Sequence, residues 1–212
     1  MKKETDYLRM LLPDSKENIG DMEQFAELNR IPIMEKESMH FIKQLMRIKK
    51  PARVLEIGTA IGYSAIQMAD AHPSSHIVSI ERDRERYEEA VRNAERSGCG
   101  DRLHFYHGDA LEVRDLVAKE GPFDVLFIDA AKGQYQKFFE IYAPMLHPDA
   151  LILSDNVLFK NLVADPDEHD GRMNKIAAKI RAFNEWLTGL EGYETSIVPI
   201  GDGVAITVAK DQ

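Results

Sequence analysis

Cysteine is almost missing from this chain: Cys99 is alone among 212 residues. A single thiol excludes an intrachain disulfide framework and a cysteine-rich zinc site. Its setting, Ser97-Gly98-Cys99-Gly100, reads as a helix stop carrying a structural thiol. Also lacking is any run of about 18 apolar residues able to cross a bilayer. The opening MKKETDYLRMLLPDSKE has neither the apolar stretch nor the small-residue cleavage site of a secretory leader, so a cytoplasmic protein is expected. Positive charge is scarce, 27 Lys and Arg against 36 Asp and Glu, a net charge of −9. This argues against a protein that coats nucleic acid through its overall field, while leaving room for a local basic patch around one RNA loop. No repeat, low-complexity tract or linker interrupts the chain. With 44% hydrophobic residues it has material for one core, and a single domain over residues 1–212 is expected: a helical cover at 1–50 and an α/β core at 51–212.

What is present changes character at residue 53. Before it, segments near 17–30 and 35–49 carry apolar residues at helical spacing, among them Phe41, Ile42, Leu45 and Met46. After it, short runs rich in β-formers (54–58, 76–81, 103–108, 124–129, 150–155) alternate with amphipathic stretches near 62–71, 84–98, 110–118, 134–146 and 173–190. Such alternation predicts βαβ units, and consecutive apolar positions within each run predict a parallel sheet covered on both faces. The tail differs: 193–200 and 204–210 read as strands joined at Gly201-Asp202-Gly203. Five parallel strands closed by an antiparallel hairpin resemble the Rossmann-like class I methyltransferase layout, a seven-stranded, mostly parallel sheet with helices on both faces. The polar stretch 157–172 is either a flap over a site or an ordinary surface loop.

Ligands of open α/β sheets bind beyond the carboxyl ends of the strands, where this sequence places acids. The first strand runs into Glu56-Ile57-Gly58-Thr59-Ala60-Ile61-Gly62-Tyr63-Ser64. Its spacing is not the G-x-G-x-x-G of dinucleotide enzymes, which disfavours an NAD-dependent oxidoreductase. Gly58 permits close backbone approach to a ligand, and Ser64 stands at the next helix start. The Glu56 carboxylate suits an ammonium at a cofactor's amino-acid end. Glu81 ends the second strand, where doubly wound folds hold ribose hydroxyls. Asp109 and Ala110 follow the third and can flank an adenine. Each acid taken singly is equally readable as a helix cap.

The fourth and fifth strand ends bring Asp129, Lys132, Asp155 and Asn156. Two carboxylates and an amide oxygen form a hard ligand set suited to Mg²⁺ rather than zinc, for none of the seven histidines has a fitting partner spacing. Such an ion would hold two neighbouring substrate oxygens and lower the pKa of a hydroxyl, with Lys132 in reach as general base. The plainer alternative for Lys132 is a surface residue on a βα loop.

These residues resemble the cation-dependent O-methyltransferase family that includes the catechol and caffeoyl-CoA O-methyltransferases, over most of the chain from about Met34 onward. The resemblance implies a methyl donor, S-adenosylmethionine, held by Glu56, Gly58, Ser64, Glu81, Asp109, Ala110 and Asp129. It further implies Mg²⁺ or another divalent cation on Asp129, Asp155 and Asn156, catalysis by Lys132 and Asp129, and a homodimer. The segments 31–38, 54–66 and 127–135 are similar to the bacterial branch that methylates 5-hydroxyuridine at the tRNA wobble position. That substrate offers O5 beside O4, a chelating pair like that of a catechol, in a single-stranded anticodon loop. Small catechol-like or caffeoyl-type phenols are the alternative acceptors, and a non-catalytic cofactor-binding module is the alternative of a different class. Basic residues at Lys43, Arg47, Lys49, Lys50 and Arg53 and at Arg172, Lys175, Lys179 and Arg181 could grip RNA or simply solvate helix faces. Trp186 could stack on a base or anchor the core.

Overall fold

The computed structural model describes residues 2–159, 162–164 and 171–210, with the backbone alone at 2–5 and 172. Three helices come first, α1 (Lys2–Met10), α2 (Glu17–Asn29) and α3 (Lys36–Lys49). The core then alternates β1 (Arg53–Ile57), α4 (Tyr63–Ala71), β2 (His76–Glu81), α5 (Arg84–Arg96), β3 (Leu103–His107), α6 (Arg114–Val117), β4 (Phe123–Ile128), α7 (Tyr135–Tyr142) and β5 (Leu146–Ser154). It closes with α8 (Gly171–Thr188), β6 (Tyr193–Val198) and β7 (Val204–Ala209). The sheet order is β3-β2-β1-β4-β5-β7-β6. Neighbours from β3 to β5 run parallel, and β7 is antiparallel to both β5 and β6, which is the seven-stranded layout expected.

Strand order reverses between β1 and β4, where chain connections diverge to opposite faces and leave a crevice at the carboxyl ends. Each sheet face buries its own apolar layer. Ile42 and Met46 of α3, Met68 of α4 and Ala90 of α5 cover one; Phe138 and Phe139 of α7 and Ile180, Phe183 and Leu187 of α8 cover the other. The repeat of three or four residues in those lists is what makes these segments helices: only that period puts every apolar side chain on one stripe.

Several boundaries differ from expectation. The helix expected at 110–118 shrinks to α6, because Asp109 folds the chain into a turn, its Oδ1 accepting the Leu111 N–H and its carbonyl those of Glu112 and Val113. The helix expected to reach residue 146 ends at Tyr142, and a short 3₁₀ turn, Ala143–Met145, follows. Pro144 in that turn has no N–H to continue the ladder. In the stretch 157–172, residues 160, 161 and 165–170 lie outside the described residues. Val157, Leu162 and Val163 are buried against the α7–α8 face, so the described part of the supposed flap is anchored. Trp186 packs edge-on to Phe139, ring centroids 5.3 Å apart, and serves as a core anchor rather than a base-stacking platform. Cys99 is buried, as a structural thiol should be. Among the described residues no helix is long and apolar enough to cross a membrane.

Candidate active site

A cavity of about 580 Å³ opens at the switch point. Its walls are the strand-end loops, closed above by the segment entering α3, including Ile33, Met34, Glu35 and Ser38. Of the sequence-predicted residues, Gly58, Ser64, Glu81, Asp109, Ala110, Asp129, Lys132, Asp155 and Asn156 all line it. Glu56 does not.

Gly58 follows β1 with φ of +107°. A Cβ on it would lie 2.0 Å from the Asp129 carbonyl oxygen, so any side chain would wedge β1 from the loop after β4. Glu81 is buried, and its carboxylate accepts the backbone N–H groups of Ala60 and Asp83, each at 2.8 Å. Those bonds aim the carboxylate while leaving lone pairs free for hydroxyl donors. Glu56, expected to orient the amino-acid end of a cofactor, is fully buried behind the cavity wall and accepts the hydroxyls of Ser64 and Ser79. The cause is position: Glu56 is the penultimate residue of β1, paired on both sides with Ser79 and Phe127, which sets its carboxylate behind the residues that line the cavity. Ser64, which it holds, does line the cavity.

Burial raises the Glu56 carboxyl to about 7, against the hydroxyl bonds that lower it. A carboxyl that keeps its proton to higher pH when folded stabilises the fold below its unfolded value of 4.5, and that stabilisation is lost as pH rises through about 7. Glu56→Gln should therefore flatten this part of the stability profile. Calorimetric Tm values at pH 5 and pH 7.5 should fall further for the wild type than for the variant; parallel profiles would exclude the assignment.

At the other end of the cavity the catalytic candidates meet. Lys132, in a 3₁₀ turn (Lys132–Gln134) after β4, donates from Nζ to Asn156 Oδ1, and its ammonium lies 5.1 Å from the Phe159 ring centroid. Asn156 donates from Nδ2 to Asp155 Oδ2. Asp155 Oδ1 is buried and finds no hydrogen-bond partner among the described residues. Burial pushes the Asp129 carboxyl up to about 6, opposed by Lys132. Asp155 is driven well above the ordinary carboxylate range by burial and then by the charge of Asp129. Two carboxylates that disfavour each other's charge, one with an orphaned oxygen, are what a hard cation would relieve. Among the described residues no three His, Cys, Asp or Glu side chains converge for a metal, so an ion here would rest on two carboxylates and the Asn156 amide.

Sequence reasoning missed Arg82 and Arg86, which line the cavity just beyond Glu81, and Glu35, Ser38 and Asp202, which come from the cover and the terminal hairpin. The two arginines were findable as the residues following a strand-end acid; the others depend on long-range packing. Three residues of the first basic cluster have partners away from the cavity. Arg53 opens the central strand β1 at the amino end, opposite the carboxyl ends where the cavity opens, donating to the carbonyls of Glu120 and Gly121. Lys49 is bound to Asp149, and Lys43 to Gln67. The cause is the course of α3, which starts at the cavity rim and carries its last turn about 20 Å away at 1.5 Å per residue. In the second cluster Arg181 donates to the Val163 and Ala164 carbonyls, whereas Lys179 is exposed beside Gly133 near the cavity.

Residues 14–210 match the sequence profile described as O-methyltransferase. Caffeoyl-CoA O-methyltransferase of Petroselinum crispum is 31% identical over 175 residues, 78% of this chain and 72% of its own. The catechol O-methyltransferase of Niastella koreensis is 29% identical, across 80% and 79%. A Staphylococcus aureus structure of caffeoyl-CoA O-methyltransferase type aligns with a TM-score of 0.92 and 36% identity, covering 98% of this chain and 99% of that one. The Bacillus cereus O-methyltransferase solved in complex with SAH gives 0.84 and 25%, covering 97% and 96%.

Proposed function

Because the chain belongs to the O-methyltransferase family, we propose that it transfers a methyl group from S-adenosylmethionine to a hydroxyl flanked by a second oxygen, using Mg²⁺ or another divalent cation. The observation that carries this reading is the meeting of Asp129, Lys132, Asp155 and Asn156 at one end of a cavity whose other end is walled by Glu81, Asp109 and Ala110.

Glu81 would accept the donor's ribose hydroxyls, Asp109 and the Ala110 backbone would flank its adenine, and Ser64, fixed by Glu56, would meet its amino-acid end with Gly58. Asp129, Asp155 and Asn156 would hold the cation, which supplies Lewis acidity and two-point registration of the acceptor oxygens when bound. Lys132 Nζ would take the acceptor's hydroxyl proton as the oxygen attacks the sulfonium methyl. Lys132 Nζ donates to Asn156 Oδ1, so it must release that oxygen before acting as base.

For the acceptor we propose 5-hydroxyuridine at the tRNA wobble position, giving 5-methoxyuridine. Its adjacent O5 and O4 suit the same two-point hold, and Arg82, Arg86 and Lys179 stand near enough to meet loop phosphates. The second reading, a small catechol-like phenol, is favoured by the names of the relatives and by the remoteness of Lys49 and Arg53 from the cavity. A homodimer in the cytoplasm, with the whole of 1–212 as one domain, completes the proposal.

The test is an in vitro assay of purified protein with S-adenosylmethionine and tRNA carrying 5-hydroxyuridine, read by nucleoside mass spectrometry. A 14-unit mass gain on that nucleoside, silenced by EDTA and restored by Mg²⁺, is expected, 14 being roughly the mass of the added CH₂. Transfer to catechol but not to tRNA would select the second reading, and transfer unaffected by chelator would remove the cation.

A further inference from the structure

The hairpin turn Gly201-Asp202-Gly203 does more than reverse the chain. Its carbonyls leave the hairpin to receive the segment that follows Asn156: Gly203 accepts the Val157 N–H at 3.0 Å, and Asp202 accepts those of Leu158 at 2.8 Å and Phe159 at 3.0 Å. That segment is bracketed by two non-glycine residues at positive φ, Asn156 at +60° and Phe159 at +24°, conformations that persist only where surrounding bonds impose them. Asn156 supplies the amide oxygen of the proposed cation set, and the Phe159 ring underlies the Lys132 ammonium. On its other flank the turn abuts the cover, since a Cβ on Gly201 would lie 2.1 Å from Ser38 Oγ and 3.2 Å from Glu35 Oε2. Arg9 of α1 in turn clamps the neighbouring Glu37, its Nε donating to the two carboxylate oxygens at 3.0 and 2.8 Å.

We propose that this turn is a positioning element of the active site, fixing Asn156 and Phe159 through its carbonyls and registering the N-terminal cover against them. The inference rests on the reading that Asp129, Asp155 and Asn156 hold a divalent cation. A hairpin needs only its own register, yet here the turn satisfies three N–H groups of another segment and packs without clearance on both sides. Gly203, at φ of +88°, is the sensitive point: a Cβ there would sit 2.5 Å from Leu158 Cγ and 2.9 Å from the Leu158 backbone nitrogen. Because backbone must yield, the shift passes directly to residues 157–159 and so to the Asn156 amide.

The test is direct ligand binding by the purified full chain, Mn²⁺ by electron paramagnetic resonance and S-adenosylmethionine by calorimetry. Gly203→Ala should weaken Mn²⁺ binding about 10–100-fold, the range seen when outer supports of a metal site are removed. Donor affinity should be unchanged, since Gly58 follows β1, Ser64 belongs to α4 and Glu81 ends β2. If that variant does not fold, Gly203→Ala/Leu158→Ala removes the 2.5 Å contact but keeps the one to the backbone nitrogen, and the same selective loss is expected. Equal Mn²⁺ affinity in variant and wild type, or parallel loss of both ligands, overturns the positioning role alone. Wild-type protein that binds no Mn²⁺ overturns the cation reading and this inference with it.

Discussion

Asp155→Ala is expected to abolish methyl transfer while leaving S-adenosylmethionine binding intact. The carboxylate is buried and one of its oxygens has no hydrogen-bond partner among the described residues, an arrangement that costs stability unless a cation or proton joins it. Removing even an outer support of a metal site costs about 10–100-fold, so removing a ligand should cost more than about 100-fold in kcat. The variant should also fold at least as well as the wild type in the absence of metal, because an unfavourable buried acid has gone. Single-turnover assays paired with calorimetric titration of the donor would check both halves. Substantial turnover in Asp155→Ala, or loss of donor binding, would contradict the assigned role.

Lys132→Ala should lower kcat by about 10²–10⁴-fold, the usual contribution of a positioned general base. Lys132→Arg should not restore it: a guanidinium keeps the charge over the Phe159 ring but does not give up a proton near neutral pH. The pair separates two roles that one structure superimposes, because the Lys132 ammonium both binds Asn156 and stands beside the acids as a positive charge. If charge alone mattered, arginine would rescue. Mn²⁺ affinity should be equal or higher in Lys132→Ala, since a competing cation has been removed from the Asn156 oxygen; a Lys132→Arg variant with wild-type kcat would sink the base assignment.

Much of this site was legible in the sequence because the parallel sheet converts a local rule into a spatial one. An acid just after an apolar run in a βαβ pattern must emerge at the carboxyl edge, and four such runs placed Glu81, Asp109, Asp129 and Asp155 around one crevice without any knowledge of packing. What the sequence did not mark is depth: Glu56 lies two positions before the level of Glu81 and Asp129 in the strand register, on the same face but inside the strand, and a run of letters does not mark where pairing stops. Nor does the sequence mark that Lys49 ends α3 and Arg53 opens β1 away from the cavity, since that depends on which ends of those elements face the crevice.

By itself the sequence determined the order of elements, the parallel sheet with its closing hairpin, and the acids, amide and lysine that surround the crevice. All of these follow from period, turn chemistry and strand ends, which are local properties. Only the tertiary structure decided that Glu56 is buried and bonded to Ser64, that Glu35, Ser38 and Asp202 share the cavity, and that Gly203 bonds the segment after Asn156. Those contacts join residues far apart in the chain, and their existence depends on how whole layers pack; no local pattern encodes the depth of a side chain or the clearance between two backbones.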